Sequence, residues 1–449
     1  MKWIFPLLWL ATLLELAATN RPYIHPLKLV AYNQTGSQKE MNQEDSFLAE
    51  LSGVDDLSLV NGCGGSRQGE EEWKPSSRKQ LALSSIQTAL AAIWFTKLSP
   101  LEGSGITLLS PFHLYGSLAA LSLGAGGATT HSFCHHLVLL EDGCGLGRRS
   151  WNTHRHIRLL NRDILTRQGG SLSTATWLVF RKGLQLRQTF IQGLRCFYPE
   201  VQLRATNVSQ PHTAEETING LIHNASAGRV SNLVTGLSPS TNLVLASYIH
   251  FKGKWKTRSQ CFGTEFQDFF NDGGSKVRIP MMLWCGWVQY KIDPKYTLIK
   301  IPMSETTSMV LIQPIQPDLM QNIESTLPVN SIMKDLQSGD VRLVLPQFKW
   351  ESTYDVKELY RRMQLADMLG SQANFSRLSS VQQLAPDQVV QSVIFDVTED
   401  GEEPTPAGDV PFSNMTFTTE IRINKPFFFR VYDRTLGELL FLGKVKKLH

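Results

Sequence analysis

Nine residues near the middle of the chain, LVLASYIHF at positions 243–251, limit the fold more than any other stretch. Almost all are apolar, so the usual alternation of inward and outward residues is missing. Such a run suits a strand covered on both faces, with layers above and below its sheet. Other strand-like stretches are VRLVLPQF, QSVIFDV, FTTEIRI and PFFFRVYD.

Helical patterns come earlier. LALSSIQTALAAIWFTKL places Leu83, Ile86, Leu90, Ile93 and Trp94 on one stripe, and Pro100 follows its end. SPFHLYGSLAALSLGAGG offers Ser110 as N-cap and Pro111 at the first helical position, and it stops at Gly124. YDVKELYRRMQLADML is predicted as one amphipathic helix. No repeat and no clear linker interrupt the chain after residue 80. The expectation is one large α+β domain. Hydrophobic content of 42% and charge of 19% suit a full core. A net charge of +4 is small for 449 residues and points neither to nucleic acid nor to a membrane surface.

The front of the chain reads differently. Lys2 precedes the apolar run WIFPLLWLATLL, then Glu15 and the small residues Ala17, Ala18 and Thr19. That is the layout of a secretory signal over residues 1–19, too short to span a bilayer. Cleavage after Thr19 exposes NRPYIHPLKL, residues 20–29, which reads as neither helix nor strand. Residues 30–78 are polar and patternless, as in a flexible tail. In a secreted chain the sequons at Asn33, Asn207, Asn224, Asn374 and Asn414 become glycosylation candidates. Six cysteines are too few for a disulfide framework at this length, so any bridge is local.

The motifs SPFHLYGSLAALSLGAGGATT, YIHFKGKW, LPQFKWESTYDVKELYRRMQLADML, VIFDVTEDG and INKPFFFRVYDRTLGELLFLGKV occur together in the order found in serpins. Residues 79–449 therefore resemble the serpin family. The resemblance implies mixed β-sheets, a surrounding helical lobe and an exposed reactive-centre-like loop. RPYIHP, behind the leader, is similar to the hormone peptide stored at the front of non-inhibitory members. The resemblance implies that renin, an aspartic protease, cuts Leu29–Val30 and frees residues 20–29. A converting enzyme then removes Lys28 and Leu29. The remaining octapeptide, Asn20, Arg21, Pro22, Tyr23, Ile24, His25, Pro26 and Leu27, acts as a vasoactive hormone from plasma on a G-protein-coupled receptor.

Local chemistry agrees with that expectation. A protease takes its substrate extended, and Pro22 and Pro26 bias Arg21 and His25 toward extended geometry. Leu29 and Val30 present two apolar side chains across one bond. The peptide departs from the usual hormone at Asn20, Pro22 and Lys28, and most seriously at Leu27, where a phenylalanine ring is usual. By the same resemblance, an arm cysteine pairs with one after the LSLGA helix, and Cys63 and Cys144 occupy the nearest comparable places. Free thiols, or a pair such as Cys261–Cys285, are the alternatives.

The resemblance also implies that inhibitory members insert the loop after an E-x-G hinge as a new central strand. Here EDGEEPTPAGDVP puts Glu402, Pro404 and Pro406 on one face of that strand. A buried anion and two residues without N–H oppose insertion. The rival readings are an active protease inhibitor and a small-hormone carrier.

Two further clusters have simpler explanations. HSFCHH, with His131, Cys134, His135 and His136, has metal-like composition but no second ligand cluster, and a surface helix explains it better. Arg148, Arg149, Arg155, Arg158 and Arg162 read as a solvated helix face. No catalytic motif, metal set or cofactor signature is present.

Overall fold

The computed structural model describes residues 77–100, 105–137, 150–257, 261, 263–326, 330–379, 384–403 and 419–449. The signal, the hormone-like peptide, the tail up to residue 76, Pro404 and Pro406 all lie outside them.

The described helices are α1 (Ser77–Leu98), α2 (Pro111–Ser122), α3 (Gly127–Leu137), α4 (Ser150–Gln168), α5 (Gln188–Phe197), α6 (Pro211–Ala225), α7 (Leu319–Thr326), α8 (Val356–Arg362) and α9 (Ala366–Leu369). The strands are β1 (Ile106–Leu109), β2 (Leu172–Arg181), β3 (Val201–Thr206), β4 (Leu243–Thr257), β5 (Thr264–Phe270), β6 (Lys276–Ile292), β7 (Tyr296–Pro302), β8 (Thr307–Pro314), β9 (Gln337–Pro346), β10 (Phe348–Asp355), β11 (Gln388–Glu403), β12 (Thr419–Arg422), β13 (Phe427–Asp433) and β14 (Leu439–Val445). They form a five-stranded sheet in the order β10-β11-β4-β2-β3. A nine-stranded sheet runs β1-β14-β13-β8-β7-β6-β9-β12, with β5 added on β6.

The apolar run at 243–251 falls within β4, at the centre of the smaller sheet, and every one of its residues is buried. Leu243, Leu245, Ile249 and Phe251 enter the main core. Val244, Ala246 and Tyr248 face the other way, into a second cluster with Ala214, Ile218 and Ile222 of α6. The period of two therefore operates, and both faces are apolar because both are covered.

Helix α2 begins as its sequence dictates: Ser110 Oγ accepts from His113 N, and Pro111 takes the first position, where no donor is needed. Along α1, Leu83, Leu90 and Trp94 are buried, but Ile93 is exposed. Two expectations need correction. VRLVLPQF is not one strand, because β9 ends at Pro346 and β10 begins at Phe348. YDVKELYRRMQLADML is not one helix. Tyr354 and Asp355 close β10, and Asp355 caps α8 by accepting from Lys357 N at 2.8 Å. Gln364, at φ 61°, then breaks the chain before α9. The aspartate at the second position of the segment, Asp355, was the available signal, and the helical period hid it.

Candidate functional site

Strands β4 and β11 form the junction where the serpin resemblance leads one to expect loop insertion. These strands lie side by side in parallel, with Gln388 opposite Val244 and Val397 opposite Gly253. The register then slips, and Gly401 and Glu403 pair with Trp255 and Thr257. The described strand thus runs to Glu403, directly before Pro404, a residue with no N–H to donate. Glu402 lies on this last stretch of strand backbone.

A polar row crosses the inner face of the sheet at one register position. Tyr354 on β10 is opposite Gln391 on β11, Gln391 is opposite Ser247 on β4, and Ser247 is opposite Thr176 on β2. Tyr354 OH donates to Gln391 Oε1. Gln391 Nε2 lies 3.3 Å from Ser247 Oγ and 2.9 Å from His113 Nδ1 of α2. Because Nδ1 accepts there, the ring proton belongs on Nε2, 3.3 Å from Thr176 Oγ1. Ser117 Oγ completes the line at 3.4 Å from Thr176 Oγ1. Burial pushes the His113 pKa down to about 3, so the imidazole is neutral over the physiological range.

No local pattern in the sequence announces this row, because its members come from five separate elements. Beside it, a cavity of about 20 Å³, room for one water, is lined by residues that include His113, Ser117, Asn161 and Glu200. Burial raises the Glu200 carboxyl, against the donor Asn161 Nδ2 at 3.3 Å.

The histidine tract is divided among different surroundings. Cys134 is a buried free thiol. His136 stacks edge-on against Tyr360, 5.2 Å between ring centres, and burial lowers its pKa to about 4. His135 is exposed on α3. Of the basic cluster, Arg155, Arg158 and Arg162 lie three and then four residues apart on α4, hence along one side of it; Arg158 Nη1 donates to Cys196 O at 2.7 Å, and Arg162 pairs with Asp163 at 3.7 Å. Arg148 and Arg149 lie outside the described residues.

Among the cysteines, Cys261 and Cys285 are bonded, with Cα atoms 5.3 Å apart. Cys196 is also a disulfide cysteine. Cys63 and Cys144 lie outside the described residues, as do Asn33 and Asn414. Asn207, Asn224 and Asn374 are all exposed. Asn374 folds over the start of α3, where its backbone accepts from Gly126 N at 2.8 Å.

A parallel β4–β11 junction inside a helix-covered five-stranded sheet, beside a nine-stranded sheet, defines a class of fold. The family model for serpins (serine protease inhibitors) matches residues 85–448, and the chain belongs to that family. Within it, the chain is similar to angiotensinogen of Bos taurus, at 28% identity over 96% of this chain and 95% of the relative. Angiotensinogen of Homo sapiens is 27% identical over 96% and 94%. Corticosteroid-binding globulin of Saimiri sciureus is 27% identical over 82% and 91%. Among solved structures, mouse protein-Z dependent protease inhibitor superposes with a TM-score of 0.71 at 22% identity, covering 84% of this chain and all of that one. Uncleaved ovalbumin gives 0.71 at 20%, covering 82% and 100%. These two show the shared fold.

Proposed function

We propose that the chain is a secreted, non-inhibitory serpin that serves as a renin substrate and peptide-hormone precursor. The serpin match begins at residue 85, whereas the similarity to the angiotensinogens covers 96% of the chain and so takes in most of the arm. That reach carries the reading. The proposed order is a signal at residues 1–19, an angiotensin I-like decapeptide at 20–29, a tail at 30–78 and the serpin domain from 79 onward.

Renin cuts between Leu29 and Val30. Angiotensin-converting enzyme then removes Lys28 and Leu29, and trimming stops before Pro26, whose tertiary amide fits most peptidase sites poorly. The octapeptide acts on an angiotensin receptor to regulate blood pressure and salt balance, and Leu27 weakens its agonism by removing a stacking ring. The body performs no catalysis and does not trap proteases. Its hinge, Glu402, Pro404 and Pro406, opposes insertion, and the polar row ties together the strands that insertion must part.

The arm cysteine Cys63 is proposed to pair with the body. Cys144 is the partner implied by the family; with Cys134 free and Cys261 bonded to Cys285, that pair and a bond at Cys196 exclude each other, so Cys196 is the rival partner for Cys63 or Cys144. Peptide mapping without reduction distinguishes the pairings. The similarity to a corticosteroid-binding globulin favours a second reading, a small-hormone carrier, which equilibrium binding of labelled steroid tests.

The experiment for the main reading is incubation of the secreted protein with renin, followed by mass spectrometry. The expected product is the decapeptide of residues 20–29, and Leu29→Asp abolishes its release by putting an unpaired charge into an apolar pocket. An intact arm, or a cut elsewhere, removes the reading.

A further inference from the structure

The five-stranded sheet has an open side. Strand β3 pairs with β2, and no strand among the described residues pairs with its other edge. An unpaired edge offers a row of backbone donors and acceptors to any second extended chain. Six residues make that edge about 20 Å long. Natural edges are commonly blunted by lysine, proline or a bulge. VQLRAT has no lysine or proline, and its pairing with β2 is regular over all six residues. Its single charge, Arg204, turns back along its own strand. Nη1 donates to Leu203 O at 3.0 Å, and Nη2 donates to Gln202 Oε1 at 2.8 Å.

The next residue after β3 is Asn207, the first member of the sequon Asn207-Val208-Ser209. The side chain of Val208 is buried and anchors the turn, whereas Asn207 and Ser209 are exposed. Asn207 Oδ1 accepts from Ser209 N at 3.2 Å, and Nδ2 makes no hydrogen bond among the described residues. The amide nitrogen is therefore free, in solvent, at the end of the exposed edge. The other two described sequons differ. Asn224 sits on the last turn of α6, and Asn374 packs against the start of α3.

We infer that Asn207 carries an N-linked glycan and that this glycan guards the free edge of β3 against strand addition by another copy of the chain. The inference rests on the secretory reading, which supplies the modification. In the transfer, Nδ2 bonds to C1 of an oligosaccharide held on a lipid pyrophosphate. The C1–O bond to the pyrophosphate breaks, the lipid pyrophosphate leaves, and the Nδ2 proton passes to a base of the transferase. The mature glycan is bulky and hydrated. Tethered one residue beyond the strand, it excludes a second backbone from the edge at little cost to β3, whose own pairing lies on the opposite side.

The test uses the full-length chain secreted from mammalian cells. Peptide mapping after enzymatic deglycosylation in heavy-oxygen water reads each sequon. Size-exclusion chromatography after mild heating reads loss of monomer. Asn207 should be occupied, and Asn207→Gln should lose monomer several-fold faster than the parent. Ser209→Ala removes the sequon while leaving Asn207 and the backbone turn in place, and it should behave the same way, which separates loss of the glycan from damage to the fold. Asn224→Gln and Asn374→Gln should keep the parental rate. The inference is overturned if Asn207 is unmodified while other sequons are occupied, or if Ser209→Ala stays as monomeric as the parent. If the protein is secreted with its signal removed and Asn207 is bare, the inference falls and the secretory reading stands. If no sequon is modified and the signal is retained, both fall.

Discussion

Under the five-stranded sheet, Tyr354, Gln391, Ser247, Thr176 and His113 pass hydrogen bonds along a line, and the one titratable ring in the middle is held neutral. At the hairpin joining β13 to β14, two carboxyls are fully buried instead. Asp433 Oδ1 accepts from Thr435 N and Leu436 N, both at 2.9 Å, but its Oδ2 has no hydrogen-bond partner among the described residues. Glu438 accepts from Ser84 Oγ of α1 at 2.8 Å. With its amide nitrogen turned inward, Gln87 donates to Glu438 Oε2 at 3.1 Å. Tyr115 also faces Glu438, and Arg167 stands 3.8 Å from Asp433. Burial, with Asp433 adding to it, pushes the Glu438 pKa up to about 8.

Both regions bury polarity at the root of the fold, but only the row is close to fully paired. The difference teaches that a buried polar network specifies an arrangement when each member has a partner, and that burying a carboxyl stores a pH liability even where donors reach it, as at Glu438. The signs are opposite. His113 titrates near 6.5 when unfolded and near 3 when folded, so its contribution is full above pH 6.5 and is lost as pH falls toward 3. Glu438 titrates near 4.5 when unfolded and near 8 when folded, so its contribution is full below pH 4.5 and is lost as pH rises toward 8.

Four measurements break or sharpen that contrast. Gln391→Leu has the largest expected effect. It leaves Tyr354 OH, His113 Nδ1 and Ser247 Oγ without their partner, for a loss of about 3–5 kcal/mol in urea unfolding. A loss below about 1 kcal/mol would show that the row is incidental. Glu438→Gln works in the other direction. At pH 7 the raised pKa corresponds to a penalty of roughly 3 kcal/mol, so the variant should be more stable than the parent, with the gain growing from pH 5 to pH 8. A variant less stable at every pH refutes the claim that the hairpin is a liability.

His113→Asn shows a smaller effect, read as a slope. The parent should lose stability between pH 6.5 and pH 3 more steeply than the variant, and parallel profiles would remove His113 from the account. Proteolysis within residues 405–412 should have the smallest effect. If the junction stays shut, the melting temperature rises little after the cut, whereas an inserting serpin gains greatly. A large rise, or a stable covalent complex with a serine protease, would favour the inhibitor reading.

Much of the frame is legible in the sequence, because short-range chemistry decides it. Ser110 and Pro111 mark the start of α2, and the solid apolar run at 243–251 marks a strand with two covered faces. The polar row is not legible, because Tyr354, Gln391, Ser247, Thr176 and His113 become neighbours only through strand register. The histidine tract misleads for a related reason. On one short helix Cys134 is buried and His136 meets Tyr360 of α8, a partner more than two hundred residues away. The single helix expected over YDVKELYRRMQLADML fails because sheet pairing claims Tyr354 and Asp355, overriding a continuous helical pattern.

The parallel pairing of β4 with β11 also bears on how the molecule is made. Parallel neighbours cannot be joined by a tight turn, and here Val244 waits for Gln388. During synthesis β2, β3 and β4 emerge long before the strand that completes them. The inner edge of β4, one of the most apolar stretches in the protein, is open throughout that interval. Non-local pairing of this kind slows folding and exposes the partial sheet to association with other nascent chains. The step that commits this serpin to its native form is therefore expected late, when the segment ending at Glu403 reaches the sheet and closes it.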